Sequence, residues 1–367
     1  MTHRLVEIDT LPALDAQLAG ADRLVGWVVQ SLDLRGREDA LLARDPAGAV
    51  FLGCRFGTDA EDALRRRGAL LFPRLPDLPF DPYRPTLYDA AALYGTGRYA
   101  DSPDAAVYAW SRTDRTPTLD RTLAAALHDH AVTDALDDAT AGIEPHRVVG
   151  VMGGHALQRG SADYTAAAEL GLRLARAGRT VLTGGGPGAM EAANLGAYLS
   201  PWPDALPAAL DLLATRPGYR PDLDGWLAAA AAVRDRWPAA SAGASLSVPT
   251  WFYGHEPTNV FATAIAKYFA NALREDTLLH RCRGGVVYLP GQAGTVQEIF
   301  QAVTEHFYAA PGVQVAPLVL VGVDHWTRTY PAWPLLERLG EGRALGAVAA
   351  CVDTVAEAAA LLLGTGS

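Results

Sequence analysis

The sequence is poor in lysine and in cysteine, and each shortage excludes a class of protein. Lys267 is the single lysine of the 367 residues, and no cofactor-binding motif surrounds it, which excludes a decarboxylase with a pyridoxal phosphate Schiff base. The three cysteines, Cys54, Cys282 and Cys351, include no CxxC pair and therefore indicate neither a zinc ribbon nor a disulfide framework. We accordingly expect no cofactor and no metal ion.

Long apolar runs and an excess of basic residues are also absent. No uninterrupted stretch approaches the ~20 apolar residues of a membrane-spanning helix, and residues 1–10 lack the features of a signal peptide. With 31 basic and 41 acidic residues, the net charge of −10 argues against a nucleic-acid polymer as partner. We expect a cytoplasmic protein without a membrane partner.

The length predicts two domains, at ~150 residues for each domain. Residues 1–145 have short apolar runs separated by charge, glycine and proline, and are predicted to form a smaller N-terminal α/β module of unknown role that ends in a linking helix near residues 119–136. Residues 146–367 are predicted to form the second domain. Its proline-rich stretch at about 198–244 is predicted to be an insertion with one or two helices.

The second domain repeats the order of strand, glycine turn and helix. Short apolar runs predict strands at 148–152, 180–183, 285–289, 317–323 and 348–352. Helical spacing predicts helices at 162–177 and 354–363, one that begins at 189, and one that follows the second glycine turn and ends at 307. This order is typical of a doubly wound, Rossmann-like parallel sheet, whose ligands lie at the carboxyl ends of the strands.

The first glycine turn contains Gly184, Gly185, Gly186 and Gly188, directly after the strand at 180–183. Glycines allow close approach of an anion, and a following helix directs unpaired N–H groups at it. The turn follows the second strand of the unit, which argues against a dinucleotide-binding motif. It is not a P-loop either, because no Lys-Ser/Thr pair follows the glycines. A tight turn without a ligand remains an alternative.

The second glycine turn is the segment 290–298, with Gly291, Gly294, Thr295 and Glu298. It predicts a second anion-binding turn, to which Thr295 can add a hydroxyl donor. Glu298 lies one helical turn further on, closer to a sugar carbon than to the phosphate that would repel it. The spacing of Thr295 and Glu298 also fits a capping box, which stays open as an alternative.

Together the two turns resemble the LOG (Lonely Guy) family, often misannotated as lysine decarboxylases, and within it the pyrimidine/purine nucleotide 5′-monophosphate nucleosidases. The resemblance rests on the PGAME-type motif at 186–191, the PGGxGTxxE-type motif at 290–298, the Glu-Pro-Thr-Asn segment at 256–259, the Gly-Gly-His segment at 153–155, and Arg274. It covers about half of the chain, from about 147 to 325, and implies a LOG-type Rossmann fold.

The resemblance implies hydrolysis of the N-glycosidic bond of a nucleoside 5′-monophosphate, with Glu298 and Arg274 as catalytic residues. Glu298 would lie at the ribose C1′, while Arg274 would hold the phosphate or the carboxylate, its alternative being a surface salt bridge. Asn259 would bind ribose hydroxyls and Glu256 would face base or sugar. The implied substrate-binding set is Gly153, Gly154, Gly184, Gly185, Gly186, Gly188, Met190, Glu191, Glu256, Asn259, Pro290, Gly291, Gln292, Ala293, Gly294 and Thr295, although Met190 and Glu191 also suit packing and capping.

One departure from the family pattern leaves other functions open. Gln292 replaces the middle glycine of the second motif, where a positive φ would cost ~1 kcal/mol or more. The alternatives are a nucleotide-sensing or nucleotide-binding protein without turnover, and a carrier of a phosphorylated cofactor such as molybdenum cofactor. The family also implies a homodimer or a higher homo-oligomer.

Overall fold

The computed structural model describes residues 5–95, 97–112, 118–251, 256–310 and 312–364. These residues form two compact units, one made of residues 5–86 and 118–135 and the other of residues 87–112 and 136–364. Among the described residues, no helix combines the length and the apolar character needed to cross a membrane.

The first unit contains a four-stranded parallel sheet in sequential order. Its strands are β1 (Val6–Ile8), β2 (Trp27–Gln30), β3 (Val50–Leu52) and β4 (Leu70–Phe72), connected by α1 (Leu11–Leu18), α2 (Glu38–Leu42) and α3 (Thr58–Arg66). Because crossovers between parallel strands are right-handed, a sequential order places these helices on one face of the sheet. Apolar side chains of strands and helices form the core, among them Ile8, Leu14, Val29, Phe51 and Leu64.

The second unit contains a seven-stranded parallel sheet in the order β11-β10-β9-β5-β6-β7-β8. The strands are β5 (Val148–Met152), β6 (Thr180–Thr183), β7 (Ser245–Ser247), β8 (Ala264–Ile265), β9 (Val286–Tyr288), β10 (Leu318–Val321) and β11 (Ala349–Val352). The strand order reverses at β5, which pairs with β6 on one side and β9 on the other. This is the doubly wound α/β fold that the sequence predicts, and the prediction is confirmed.

The remaining helices follow the chain from residue 90 onwards. They are α4 (Ala90–Tyr94), α5 (Pro103–Arg112), α6 (Leu119–Thr140), α7 (Ala162–Arg176), α8 (Ala189–Tyr198), α9 (Leu206–Ala214), α10 (Leu223–Arg236), α11 (Asn271–Arg281), α12 (Ala293–Phe307), α13 (Ala332–Gly340), α14 (Ala344–Val348) and α15 (Val355–Gly364). Helix α7 begins after Ser161, whose hydroxyl accepts a hydrogen bond from the Tyr164 N–H, and is followed by Gly178 at φ +74°.

Helices α7 and α8 approach each other through glycine. A Cβ on Gly171 of α7 would overlap the backbone of Ala193, and a Cβ on Gly196 of α8 would overlap the backbone of Ala168. The close contact fixes α8 against α7, and with it the start of α8, where the glycine turn ends.

Residues 87–112 belong to the second unit because they pair with its edge strand. The Tyr88 N–H donates to the Ile265 carbonyl at 2.9 Å, and the Ile265 N–H donates to the Tyr88 carbonyl at 2.8 Å. The predicted division into domains at residue 145 stays a prediction, since compactness alone does not show which part folds independently. The predicted insertion at 198–244 contains α9 and α10.

Candidate functional site

Three glycine turns meet at the carboxyl edge of the second sheet. The Gly153–Gly154 pair follows β5, the turn at 184–188 follows β6, and the turn at 290–295 follows β9. Because β6, β5 and β9 are adjacent and parallel, all three turns lie at the same edge, where the strand order reverses. Crevices at this position are the usual ligand sites of open α/β sheets.

Backbone contacts join the three turns directly. The Gly154 N–H donates to the Pro290 carbonyl at 3.0 Å, and the Ala189 N–H donates to the Gly154 carbonyl at 3.2 Å. Gly188 has φ +73°, and a Cβ there would overlap the Gly154 carbonyl oxygen. Glycine is therefore required at position 188 both by its backbone conformation and by the contact between the turns.

Glu298 and Arg274 form a buried ion pair beneath the first turn. The Arg274 Nη1 donates to Glu298 Oε1 at 3.0 Å, and each side chain is at most 9% exposed. A Cβ on Gly184 would lie 3.6 Å from Arg274 Nη1 and 3.9 Å from Glu298 Oε1. Arg274 also lies 3.7 Å from Glu275, but its burial excludes the surface salt bridge that the sequence left open.

The environment of Glu298 shifts its protonation. Burial raises the pKa of the Glu298 carboxyl above its usual value of 4.5, and the Arg274 guanidinium opposes this rise. Among the described residues, no atom accepts a hydrogen bond from Arg274 Nε, although that group is buried. Arg274 thus keeps one donor that no described residue satisfies.

The second turn carries exposed residues at the start of α12. Gln292 has φ −118° and precedes the helix, so the side chain in place of glycine causes no left-handed strain, and the predicted cost does not arise. Gln292, Ala293 and Gly294 are exposed, while Thr295 is buried in the first helical turn. Because Thr295 lies inside the helix rather than at its N-cap, the capping box with Glu298 does not form.

Asn259 supports the first turn from behind. Its N–H donates to the Gly185 carbonyl at 2.8 Å, and its Nδ2 donates to the Gly186 carbonyl at 3.3 Å and to Asn194 Oδ1 at 3.1 Å. The Asn259 amide is therefore committed to backbone and core partners, so the structure places it as a scaffold residue instead of exposing it to ribose. Glu256, by contrast, is half-buried, and its Oε1 lies 3.5 Å from His155 Nδ1.

Met190 and Glu191 have different places in the site. The Met190 sulfur would lie 2.9 Å from a Cβ on Gly184, so Met190 packs under the first turn. Glu191 is fully buried, and its carboxylate accepts from Arg159 at 2.5 and 3.0 Å and from the Tyr164 hydroxyl at 3.0 Å. The structure does not bring Glu191 to the crevice, because all of these bonds lie inside the core.

His325 is a residue of this edge that the sequence analysis does not identify. It follows β10 in a π-helical turn, and its Nε2 lies 3.2 Å from the Gly291 nitrogen and 2.9 Å from the Gly291 oxygen. The only sequence signal is its position just beyond the strand at 318–321. Lys267, the single lysine, is buried against Asp104 at 2.6 Å and remains outside the predicted chemistry.

The fold and the site define an α/β protein with a crevice lined by glycine turns, and a family model matches part of this unit. Residues 146–200 match the SLOG cluster4 family. The SLOG superfamily includes the LOG family, so the predicted resemblance is confirmed over this segment. SLOG is a nucleotide-binding family, which supports nucleotide or cofactor binding by this fold.

Two solved structures are similar to part of this chain. The molybdenum cofactor binding protein from Rippkaea orientalis is 16% identical, with 60% of this chain and 97% of that chain covered and a TM-score of 0.37. The Moco carrier protein from Chlamydomonas reinhardtii is 18% identical, with 59% and 98% covered and a TM-score of 0.34. Similarity this distant carries no argument about function. No curated protein matches the sequence.

Proposed function

We propose that the second unit hydrolyses the N-glycosidic bond of a nucleoside 5′-monophosphate, releasing the free base and ribose 5-phosphate. One observation carries the proposal: the buried Arg274–Glu298 pair lies beneath Gly184, where the three glycine turns meet. The turns supply backbone N–H groups for a phosphate, and the pair supplies a carboxylate a short distance away.

The reaction needs stabilisation of positive charge on the sugar. As the C1′–N bond breaks, its electrons leave with the base, C1′ and the ring oxygen become cationic, and water adds to C1′ while the base gains a proton. A carboxylate under C1′ stabilises this cation and orients the water. Binding of the phosphate at the turns holds the reacting carbon in place, which contributes to the rate through orientation.

Arg274 has a definite task in this scheme. Burial alone favours the neutral acid form of Glu298, which cannot stabilise a cation, whereas the guanidinium at 3.0 Å favours the carboxylate. Because Arg274 Nη1 donates to Oε1, it does not occupy the other carboxylate oxygen of Glu298, Oε2. Glu256, half-buried beside His155, is the further acidic group available for the base or sugar.

The test is release of base from AMP, GMP, CMP and UMP by the full chain, followed by chromatography. We expect release from at least one of them, and a decrease of about a hundredfold or more in kcat for Glu298→Gln. Glu305→Gln is the matched control, because Glu305 lies on the same helix but is exposed and paired with Arg283 at 2.9 Å. It should keep the wild-type rate.

The alternatives give different results in the same experiment. Thermal stabilisation by a nucleotide without any base release would favour a nucleotide-binding or sensing protein, and a co-purifying pterin would favour a cofactor carrier. Equal turnover by Glu298→Gln and the wild type would remove Glu298 from its role. The proposal includes a homo-oligomer, which light scattering of the purified chain tests.

A further inference from the structure

The first unit contains a cavity of its own, at the carboxyl ends of its parallel strands. The cavity has a volume of about 820 Å³ and is bounded by Ser31 after β2, Gly53 and Arg55 after β3, and residues 74–83 after β4. Its volume lies within the range of sites for small organic ligands. The residues that line the cavity all belong to the first unit.

The wall formed by residues 74–83 is held by specific contacts. Asp81 accepts from the Ser31 hydroxyl at 2.8 Å and from the Tyr83 N–H at 2.9 Å, and the Tyr83 hydroxyl donates to the Pro73 carbonyl at 3.0 Å. The buried Tyr83 ring packs on Gly53, where a Cβ would lie 2.5 Å from Tyr83 Cδ2. The segment is therefore a built wall rather than a loose connection.

Backbone strain is concentrated at this cavity. Ser31 at φ +54° and Asp77 at φ +56° are the non-glycine residues with positive φ within the described part of the chain, and both line the cavity. Left-handed conformations of such residues are uncommon and cluster at ligand-binding segments. Their coincidence here is a second observation that points to a ligand.

Two arginines of the cavity keep donors that no described residue uses, and three aspartates line the cavity as well. Asp33 is bound by Arg35 at 2.5 and 2.9 Å, and both oxygens of Asp81 accept hydrogen bonds. Arg55 and Arg74, in contrast, form no side-chain hydrogen bond or ion pair with any residue that the structure describes. Asp77 and Asp81 add two negative charges to the same lining, because the donors to Asp81 are the neutral Ser31 hydroxyl and Tyr83 N–H.

We infer that the first unit binds a small organic phosphate with a flat apolar portion. Arg55 and Arg74 provide planar donors that match the oxygens of a phosphate group. Leu75, Leu78 and Phe80 line the same cavity and provide an apolar surface for the rest of the molecule. Both features are needed, because the two arginines alone would bind any anion weakly in water.

The experiment measures binding of 1-naphthyl phosphate to the full chain by calorimetry, with inorganic phosphate and 1-naphthol as separate probes. We expect saturable binding of 1-naphthyl phosphate, at least tenfold tighter than the binding of inorganic phosphate or of 1-naphthol. Arg55→Ala/Arg74→Ala should weaken it at least tenfold. Arg23→Ala/Arg66→Ala is the control with equal charge change, since these exposed arginines lie in the same unit outside the cavity.

The second unit requires its own control, because its crevice is also proposed to bind phosphate. Gly294→Ala alters that crevice and should leave binding of 1-naphthyl phosphate at the first unit unchanged. Absence of saturable binding up to 10 mM, or equal affinity of the Arg55/Arg74 double variant and the wild type, would overturn the inference. Inorganic phosphate that binds as tightly as the organic probe would overturn the role of the apolar wall.

Discussion

Gly294 offers the sharpest test of the proposed crevice, because nothing in the described part of the chain requires a glycine there. A Cβ on Gly294 would meet no described atom within 4 Å, and the residue lies in the regular helix α12 without a left-handed φ. Each other glycine of the three turns would bring its Cβ within 4 Å of a described atom. The proposed function supplies a reason for glycine at 294, which is the close approach of the phosphate.

The expected effects of Gly294→Ala on stability and on function have opposite signs. Alanine is favoured over glycine in a helix by up to ~1 kcal/mol, so the free energy of unfolding should stay equal or increase by that amount. A phosphate seated on the N–H groups of the first helical turn would contact the new methyl group. We expect KM for the best nucleotide to increase at least tenfold, which corresponds to about 1.4 kcal/mol of lost binding.

The assay combines urea denaturation with steady-state release of free base. Gly142→Ala is the matched control, because Gly142 also meets nothing within 4 Å and lies outside the turns. It should change neither KM nor stability by more than a small amount. If Gly294→Ala keeps the wild-type KM and kcat, the phosphate does not occupy the second turn, and the arrangement proposed above is wrong.

Further predictions concern charge and packing. Burial raises the pKa of Glu298 above 4.5, and the carboxylate is the form that the proposed reaction needs, so kcat should fall as the pH falls through that raised pKa. A pH–rate profile whose acidic limb has its midpoint at or below 4.5 would contradict this. Arg274→Gln removes the opposing charge and should move the midpoint of that acidic limb to higher pH. Gly171→Ala should destabilise the chain by about 1–3 kcal/mol through overpacking of α7 on α8, against the usual helical gain, in urea titration. Lys267→Met should lower the free energy of unfolding by about 3–5 kcal/mol, because it leaves the buried Asp104 without its ion-pair partner. An unchanged Tm would refute this pairing.

The strands that carry the site were predictable from sequence because each is a short run with an apolar centre that leads into a glycine turn. The runs at 148–152 and 180–183 match β5 and β6, and the run at 285–289 contains β9. Strands of a parallel sheet are buried on both faces, so they lack polar alternation and stand out from the surrounding sequence. Glycine turns after them then place the crevice.

Strands β7 and β8 were not predictable in the same way. The segment Ser245–Ser247 has a single apolar residue, and the Ser245 hydroxyl is satisfied only by a distant residue, because it donates to the Phe261 carbonyl at 3.3 Å. The strand at Ala264–Ile265 has two residues. Strands this short form only because they pair with neighbouring strands. Two or three residues are too few for a periodic pattern of apolar residues, so the local sequence does not predict them.

The two acidic residues of the signature motifs show the limit of motif reading most clearly. Glu191 and Glu298 each follow a glycine turn on a helix, and each is buried against an arginine. Sequence spacing cannot separate them, because their partners Arg159 and Arg274 lie on other elements. The distinction depends on what each arginine does with its remaining donors.

Around Glu191 the polar groups are satisfied within the core. Arg159 also donates to the Trp226 carbonyl at 2.9 Å and lies 4.0 Å from the centre of the Trp226 ring, and Tyr164 completes the shell. Around Glu298, Arg274 Nε has no acceptor among the described residues. A buried ion pair adds little net stability compared with apolar packing. The unused buried donor beside Glu298, under a turn that excludes side chains, is the reason why we propose Glu298 rather than Glu191 as the reacting carboxylate.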